Sequence, residues 1–180
     1  MNHDSYEDSY ILDILRSVHS IAMVGASAND VRPSYFVLKY FHQRGYRMFP
    51  INPGLAGKTV LGLPIYGRLA DVPEAIDMVD IFRNSEAAGA VVDEALRLVP
   101  LPKIIWMQLT IRNDAAAARA EAEGIKVVMN RCPKIEFGRL SGEIGWAGVN
   151  SRTLSSKRPA RDVRGFQKLG LRPGPGGSQT

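Results

Sequence analysis

The stretch Ile21-Ala22-Met23-Val24-Gly25-Ala26-Ser27-Ala28-Asn29-Asp30, running directly into Val31-Arg32-Pro33-Ser34-Tyr35, decides how the chain is read. Four apolar residues meet a glycine, turn-forming residues follow, and Pro33 opens a helical pattern (Phe36, Val37, Tyr40, Phe41) that Gly45 stops. This describes a buried strand, a tight turn and a helix N-terminus, the first half of a βαβ unit. Such a junction aims free backbone N–H groups and the positive end of a helix dipole at one point, where a phosphate is favoured. Any α/β domain also has such turns without a ligand, so the turn alone assigns none. If phosphate does meet backbone here, Gly25→Val removes binding and leaves the fold largely intact.

Working outward, Tyr10, Ile11, Ile14, Leu15 and Val18 predict a leading helix over 6–18, with Ser5 and Asp8 as its capping pair. Arg47 to Asn52 reads as a second strand closed by the turn signal Asn52-Pro53-Gly54. An irregular extended connection over 58–66 and a short helix over 72–76 lead to a third strand, Met78 to Phe82. Ser85 is read as the cap of the next helix, which Pro100 and Pro102 end. Ile104 to Leu109 forms the fourth strand, Asn113 caps an alanine-rich helix stopped by Gly124, and Lys126 to Asn130 is the fifth strand. After Asn130-Arg131-Cys132-Pro133 the alternation stops, and Ser141 to Arg152 reads as a short hairpin or a segment lying across the body. Apolar strands alternating with helices give the fold class: α/β, a Rossmann-like, doubly wound parallel sheet of five strands with helices on both faces.

With 180 residues, 45% of them hydrophobic and 23% charged, the chain can bury the core of one domain without disulfides or metal. No apolar run is long enough to span a membrane, and the start (Met1 to Asp8) is too polar and acidic for a secretory signal. The single cysteine, Cys132, fits a reducing compartment, so a cytoplasmic location is expected. The net charge of +5 is local, because residues 151–180 carry seven bases against one acid and the remainder is nearly neutral. Residues 1–140 therefore read as the folded domain and 141–180 as a basic, Gly- and Pro-rich extension, at least partly disordered. Its bases lack interleaved aromatics other than Phe166, and no DNA-reading module is visible, so nucleic acid is not an expected partner.

Ligands of open parallel sheets lie beyond the C-terminal ends of the strands, where the strand order reverses. The residues at those ends are Gly25, Ala26 and Ser27, then Asn52 and Pro53, then Phe82 and Arg83, then Gln108, and finally Asn130 and Arg131. Ser27, Asn29, Arg32, Pro33 and Ser34 add hydroxyl, carboxamide, guanidinium and helix-start groups suited to a phosphate. A dinucleotide site wants three glycines in the first turn and an acid after the second strand. This chain has one glycine and Asn52 there, and no His/Cys/Asp cluster has metal spacing.

Five ordered segments, Val24-Gly25-Ala26-Ser27 with Arg32-Pro33-Ser34, Pro50-Ile51-Asn52-Pro53, Val79-Asp80-Ile81-Phe82-Arg83, Trp106-Met107-Gln108 and Met129-Asn130-Arg131-Cys132-Pro133, resemble the small stand-alone CoA-binding proteins. These are relatives of the nucleotide-binding domain of the succinyl-CoA synthetase alpha subunit. The resemblance implies a cofactor, coenzyme A or an acyl-CoA, with its diphosphate at Gly25 to Ser27 and Arg32 to Ser34. Its adenosine would lie near Asn52-Pro53 and Phe82-Arg83. It implies noncovalent binding; the intact phosphate seat and the lack of a catalytic residue at any strand end point to a carrier, sensor or regulatory protein without its own catalysis, with a protein partner or homo-oligomer left open. The alternative is an enzyme or redox regulator holding NAD(P) or another nucleotide in the same cleft. Individual residues keep plainer readings beside these: Arg83 as a surface ion pair, Gln108 and Asn130 as backbone partners, Trp106 as core, and Cys132 as either a buried small hydrophobe or a reactive thiol.

Overall fold

A computed structural model describes residues 1–141, and the expected hairpin over 141–152 and most of the basic extension fall outside the described residues. The main sheet contains β1 (Ser20–Val24), β2 (Arg47–Ile51), β5 (Met78–Ile81), β6 (Ile104–Met107) and β7 (Lys126–Val128). A two-stranded hairpin, β3 (Thr59–Val60) and β4 (Leu63–Pro64), precedes β5. The five strands of the main sheet run in the order β2-β1-β5-β6-β7, and all four neighbouring pairs are parallel. The chain therefore steps outward from β1 to β2, then returns across β1 to continue on its other side. The reversal lies between β1 and β5.

Alternation along each strand divides the core in two. Ile21, Met23, Met48, Met78, Ile104, Trp106 and Val128 face α1 (Asp8–Ser17), α2 (Pro33–Gln43) and α5 (Pro133–Leu140). Ala22, Val24, Ile51, Val79, Ile81, Ile105, Met107 and Val127 face α3 (Ser85–Ala95) and α4 (Asp114–Ala122). Both faces are thus covered, which is why these strands read as unbroken apolar runs.

Several local expectations change. The leading helix has Glu7 at its N-cap with no side-chain cap, and Asp8 instead pairs with Arg139 of α5 at 2.7 Å. The segment over 72–76 is not helical, because the one-turn 3-10 element lies earlier, at Leu69–Asp71. Asn84, not Ser85, caps α3, its side chain accepting the Ala87 N–H at 2.8 Å. The fifth helix continues the alternation beyond Cys132; Pro133 at its first turn is a helix start as well as a strand-ending signal. Asn113 caps α4 as expected, and Gly45 and Gly124 stop their helices at φ +84° and +79°.

The sheet edges are occupied. Tyr66 donates its N–H to Pro50 and accepts that of Asn52 beside β2. Next to β7, the Tyr6 hydroxyl accepts the Met129 N–H at 2.8 Å, with its ring stacked on Tyr10. At the N-terminal ends of the strands, Asp77 accepts the His19 and Ser20 amides at 2.9 and 3.1 Å and pairs with Lys103. Burial works against ionisation of Asp77, but these partners outweigh it and hold its carboxyl below the ordinary range.

Gly25 is a structural glycine. Its φ is +89°, and a Cβ built there would lie 2.5 Å from the Phe82 carbonyl oxygen. That corrects the expectation that Gly25→Val spares the fold: the added carbon has to force β1 and β5 apart. Gly25→Val is expected to lower the unfolding free energy by at least about 2 kcal/mol, read by urea titration.

Candidate functional site

The loop after β1 is built largely from its own hydrogen bonds. The Gly25 and Ala26 amides both donate to the Ile51 carbonyl, at 2.9 and 3.2 Å, so they tie the loop to β2. Ser27 Oγ accepts the Asn29 N–H and Asn29 Oδ1 accepts the Val31 N–H, each at 3.0 Å. Arg32 donates its N–H to Asn29 and its carbonyl receives Tyr35. The amides of Ser27, Ala28, Asp30 and Ser34 have no hydrogen-bond partner among the described residues. They belong to the loop and first turn of α2, where the helix dipole presents its positive end.

Asn52 clasps this loop from the neighbouring strand. Its Nδ2 donates to the Ala26 carbonyl at 2.8 Å, and its Oδ1 accepts the Gly54 N–H at 3.0 Å. A carboxylate in this position would set oxygen against oxygen, which is the physical reason for a carboxamide where a dinucleotide site carries an acid. Pro53 follows, exposed, in the 3-10 turn Pro53–Leu55.

Phe82, half-buried, packs into the α1/α2/α5 core beside this loop. Arg32 and Arg83 are exposed, and their guanidinium groups make no hydrogen bond or ion pair among the described residues. Among the described residues, then, Arg83 forms no ion pair with a neighbouring carboxylate. Arg131 is held differently: Nη1 donates to the Asn130 carbonyl at 2.9 Å, Nε lies 3.9 Å from Glu136, and the group sits over the Tyr6 ring. Asn130, at φ +53°, accepts the Thr110 N–H through Oδ1 at 2.8 Å and so ties the loops after β6 and β7 together. Trp106 is fully buried and donates to the Arg131 carbonyl at 2.7 Å.

The sequence reading passed over Asp80. It is fully buried in β5, next in register to Met23 of β1 and Trp106 of β6, and Gln108 Nε2 donates to both its oxygens at 2.9 and 3.2 Å. Burial pushes its carboxyl up to about 7, while the Gln108 hydrogen bond pulls the other way. The available signal was an acid inside a strand whose other residues are all apolar. Burial also pushes the Cys132 thiol up, against hydrogen bonds from the Lys134 and Ile135 amides, which favours the protonated, less reactive form.

The structure thus gathers Ser27, Arg32, Ser34, Asn52, Phe82 and Arg83 around the β1/β5 reversal, with Gln108, Asn130 and Arg131 at the ends of β6 and β7. An open groove of about 370 Å³ lined by Val72, Pro73, Ile76, Leu98 and Pro100 lies at the opposite end of the strands and contains none of these residues. No helix among the described residues is long and apolar enough to cross a membrane.

A family model described as a CoA binding domain matches residues 19–138, a span that runs from β1 into α5. The chain belongs to this CoA-binding domain family. It is 32% identical over 125 residues to the uncharacterized protein YneT of Bacillus subtilis, covering 69% of this chain and 90% of that protein. A hypothetical protein from Pyrococcus horikoshii OT3 shares 33% identity with a TM-score of 0.72, covering 79% of this chain and 97% of the other. A Thermus thermophilus structure titled cell-free ID.343 shares 32% identity with a TM-score of 0.70, over 75% and 99% of the two chains.

The Asp80 carboxyl has a pH signature. Unfolded, it titrates near the ordinary value of 3.8; folded, it holds its proton up to about 7. Between those values the folded state binds more protons, so this group makes stability fall as pH rises, by up to roughly 4 kcal/mol. Asp80→Asn is expected to be more stable than the parent at pH 8, with the advantage shrinking toward pH 5 in urea unfolding at several pH values.

Proposed function

We propose that this protein binds coenzyme A or an acyl-CoA noncovalently and acts as a carrier, sensor or regulatory protein. One observation carries the reading. At the β1/β5 reversal, unpartnered amides of the β1 loop and α2 start lie with two arginines, Arg32 and Arg83, that have no ion partner among the described residues. Free amides at a helix start and unpaired guanidinium groups are the donors a diphosphate and a phosphate monoester need. Membership of the CoA-binding domain family supports CoA as the bearer of those phosphates.

In this reading the diphosphate meets the amides of Ser27, Ala28, Asp30 and Ser34 and the Arg32 side chain. The adenosine lies near Asn52-Pro53 and Phe82-Arg83, with Arg83 on the 3′-phosphate. Asn52 works against NAD, since both ends of its carboxamide hold the protein's own loops instead of standing as an acid for a ribose. The reading assigns no catalytic residue. His19 precedes β1 at its N-terminal end, His42 is in the last turn of α2, and His3 is bonded to Tyr6 at 2.9 Å.

Calorimetric titration of ligand-stripped protein with CoA, acetyl-CoA, NAD and ATP tests the reading. Binding of the CoA species in preference to the others is expected; NAD binding at least as tight as CoA would replace it with the dinucleotide alternative. Arg83→Ala is expected to weaken CoA roughly tenfold and dephospho-CoA much less, because the lost contact is a charge-assisted bond to the 3′-phosphate. Equal losses would move Arg83 to the diphosphate.

A further inference from the structure

Gln108 is 5% exposed and sits just beyond β6 at the C-terminal end of the sheet, its backbone N–H on the Ile81 carbonyl at 3.3 Å. Its Nε2 is taken up by both oxygens of Asp80. Its Oε1 has no partner among the described residues, yet none of them holds a sealed-off unpartnered side-chain oxygen or nitrogen, so Oε1 retains contact with solvent. A largely buried side chain thus keeps one acceptor unused at the ligand end of the sheet. Ionised, as it is at pH 8, the Asp80 carboxylate has no proton to give, so it accepts only from the amide nitrogen, and Gln108 cannot turn over without losing a charge-assisted bond.

We propose that Asp80 is a positioning residue that locks Gln108 with Oε1 facing the ligand, as an acceptor for an amide N–H of the pantetheine arm of CoA. This inference rests on the CoA reading above. In that reading the diphosphate lies at the end of β1 and the adenosine toward β2. The arm then has to run the other way, over β5 to β6, a distance of two strand spacings or about 10 Å. Its backbone contains amide groups whose N–H is a liability in a partly buried cleft unless an acceptor meets it. Gln108 Oε1 supplies that acceptor with its orientation already set, so no rotamer freedom is lost on binding.

The test compares CoA with adenosine 3′,5′-bisphosphate, the nucleotide portion that lacks the arm, by calorimetry on the full chain at pH 8, where Asp80 is ionised. Gln108→Met removes the acceptor but leaves Asp80 buried and unpaired, which threatens folding. The double variant Asp80→Leu/Gln108→Met removes both polar partners and avoids that penalty. Both variants are expected to bind CoA roughly tenfold more weakly and the bisphosphate unchanged. Asp80→Leu alone, which leaves Gln108 present but free to turn, is expected to lose a few-fold on CoA only. Equal losses on both ligands, or no loss in any folded variant, overturn the inference while the CoA reading stands. A parent protein that binds neither ligand overturns both.

Discussion

The structure depends on how the chain leaves β1. At Gly25 it passes so close to β5 that a Cβ would lie 2.5 Å from the Phe82 carbonyl oxygen, and it does so at φ +89°, where L side chains are strained. On the other side the Gly25 and Ala26 amides both close on the Ile51 carbonyl of β2. One residue is therefore wedged among the three strands that meet at the reversal of strand order. Everything that follows, the β1 loop, the angle of α2 and the position of Arg32, starts from that exit.

Around this exit the polar residues divide by what they hold. Asn52, Asn113 and Asn130 hold loops: each uses its carboxamide on backbone groups of a neighbouring segment. Arg112, Arg131 and Arg139 hold the periphery, through Asp4 and Asp114, through Asn130 and Glu136, and through Asp8 and Glu136. At one end of the sheet, unused donors and acceptors among the described residues include four amides, the Arg32 and Arg83 guanidinium groups and Gln108 Oε1. The concentration of spare hydrogen-bonding capacity there marks it as the candidate site.

Among the described residues Asp80 is the one fully buried acid, and it sits on the face of the sheet covered by α1, α2 and α5. With Gln108 as its hydrogen-bond partner, it carries a desolvation cost that an apolar residue of similar size would not. Such a cost is tolerated where the pair also imposes an orientation, here the direction of the Gln108 carboxamide.

Periodicity and punctuation made the architecture legible: apolar runs at Ile21, Met78, Ile104 and Val127, helical faces between them, and stops at Gly45 and Gly124 reflect local backbone chemistry that short windows of sequence contain. Cap choice, by contrast, went to Asn84 over Ser85, because both neighbours can cap and only the exact backbone bend selects one. The helix over 133–140 was obscured because Pro133 serves equally as a strand-ending signal and a helix start. By itself the sequence determined the parallel α/β fold and which strand ends carry polar residues, since both follow from patterns of burial and turn chemistry along the chain. Only the tertiary structure decided that Gly25 serves packing, that Asn52 and Asn130 are clasps, that Arg83 has no ion partner among the described residues, and that Asp80 faces Gln108. Those roles depend on which atoms lie across from each other between segments distant in sequence, because hydrogen bonds and steric contacts are set by the distance and angle between those atoms.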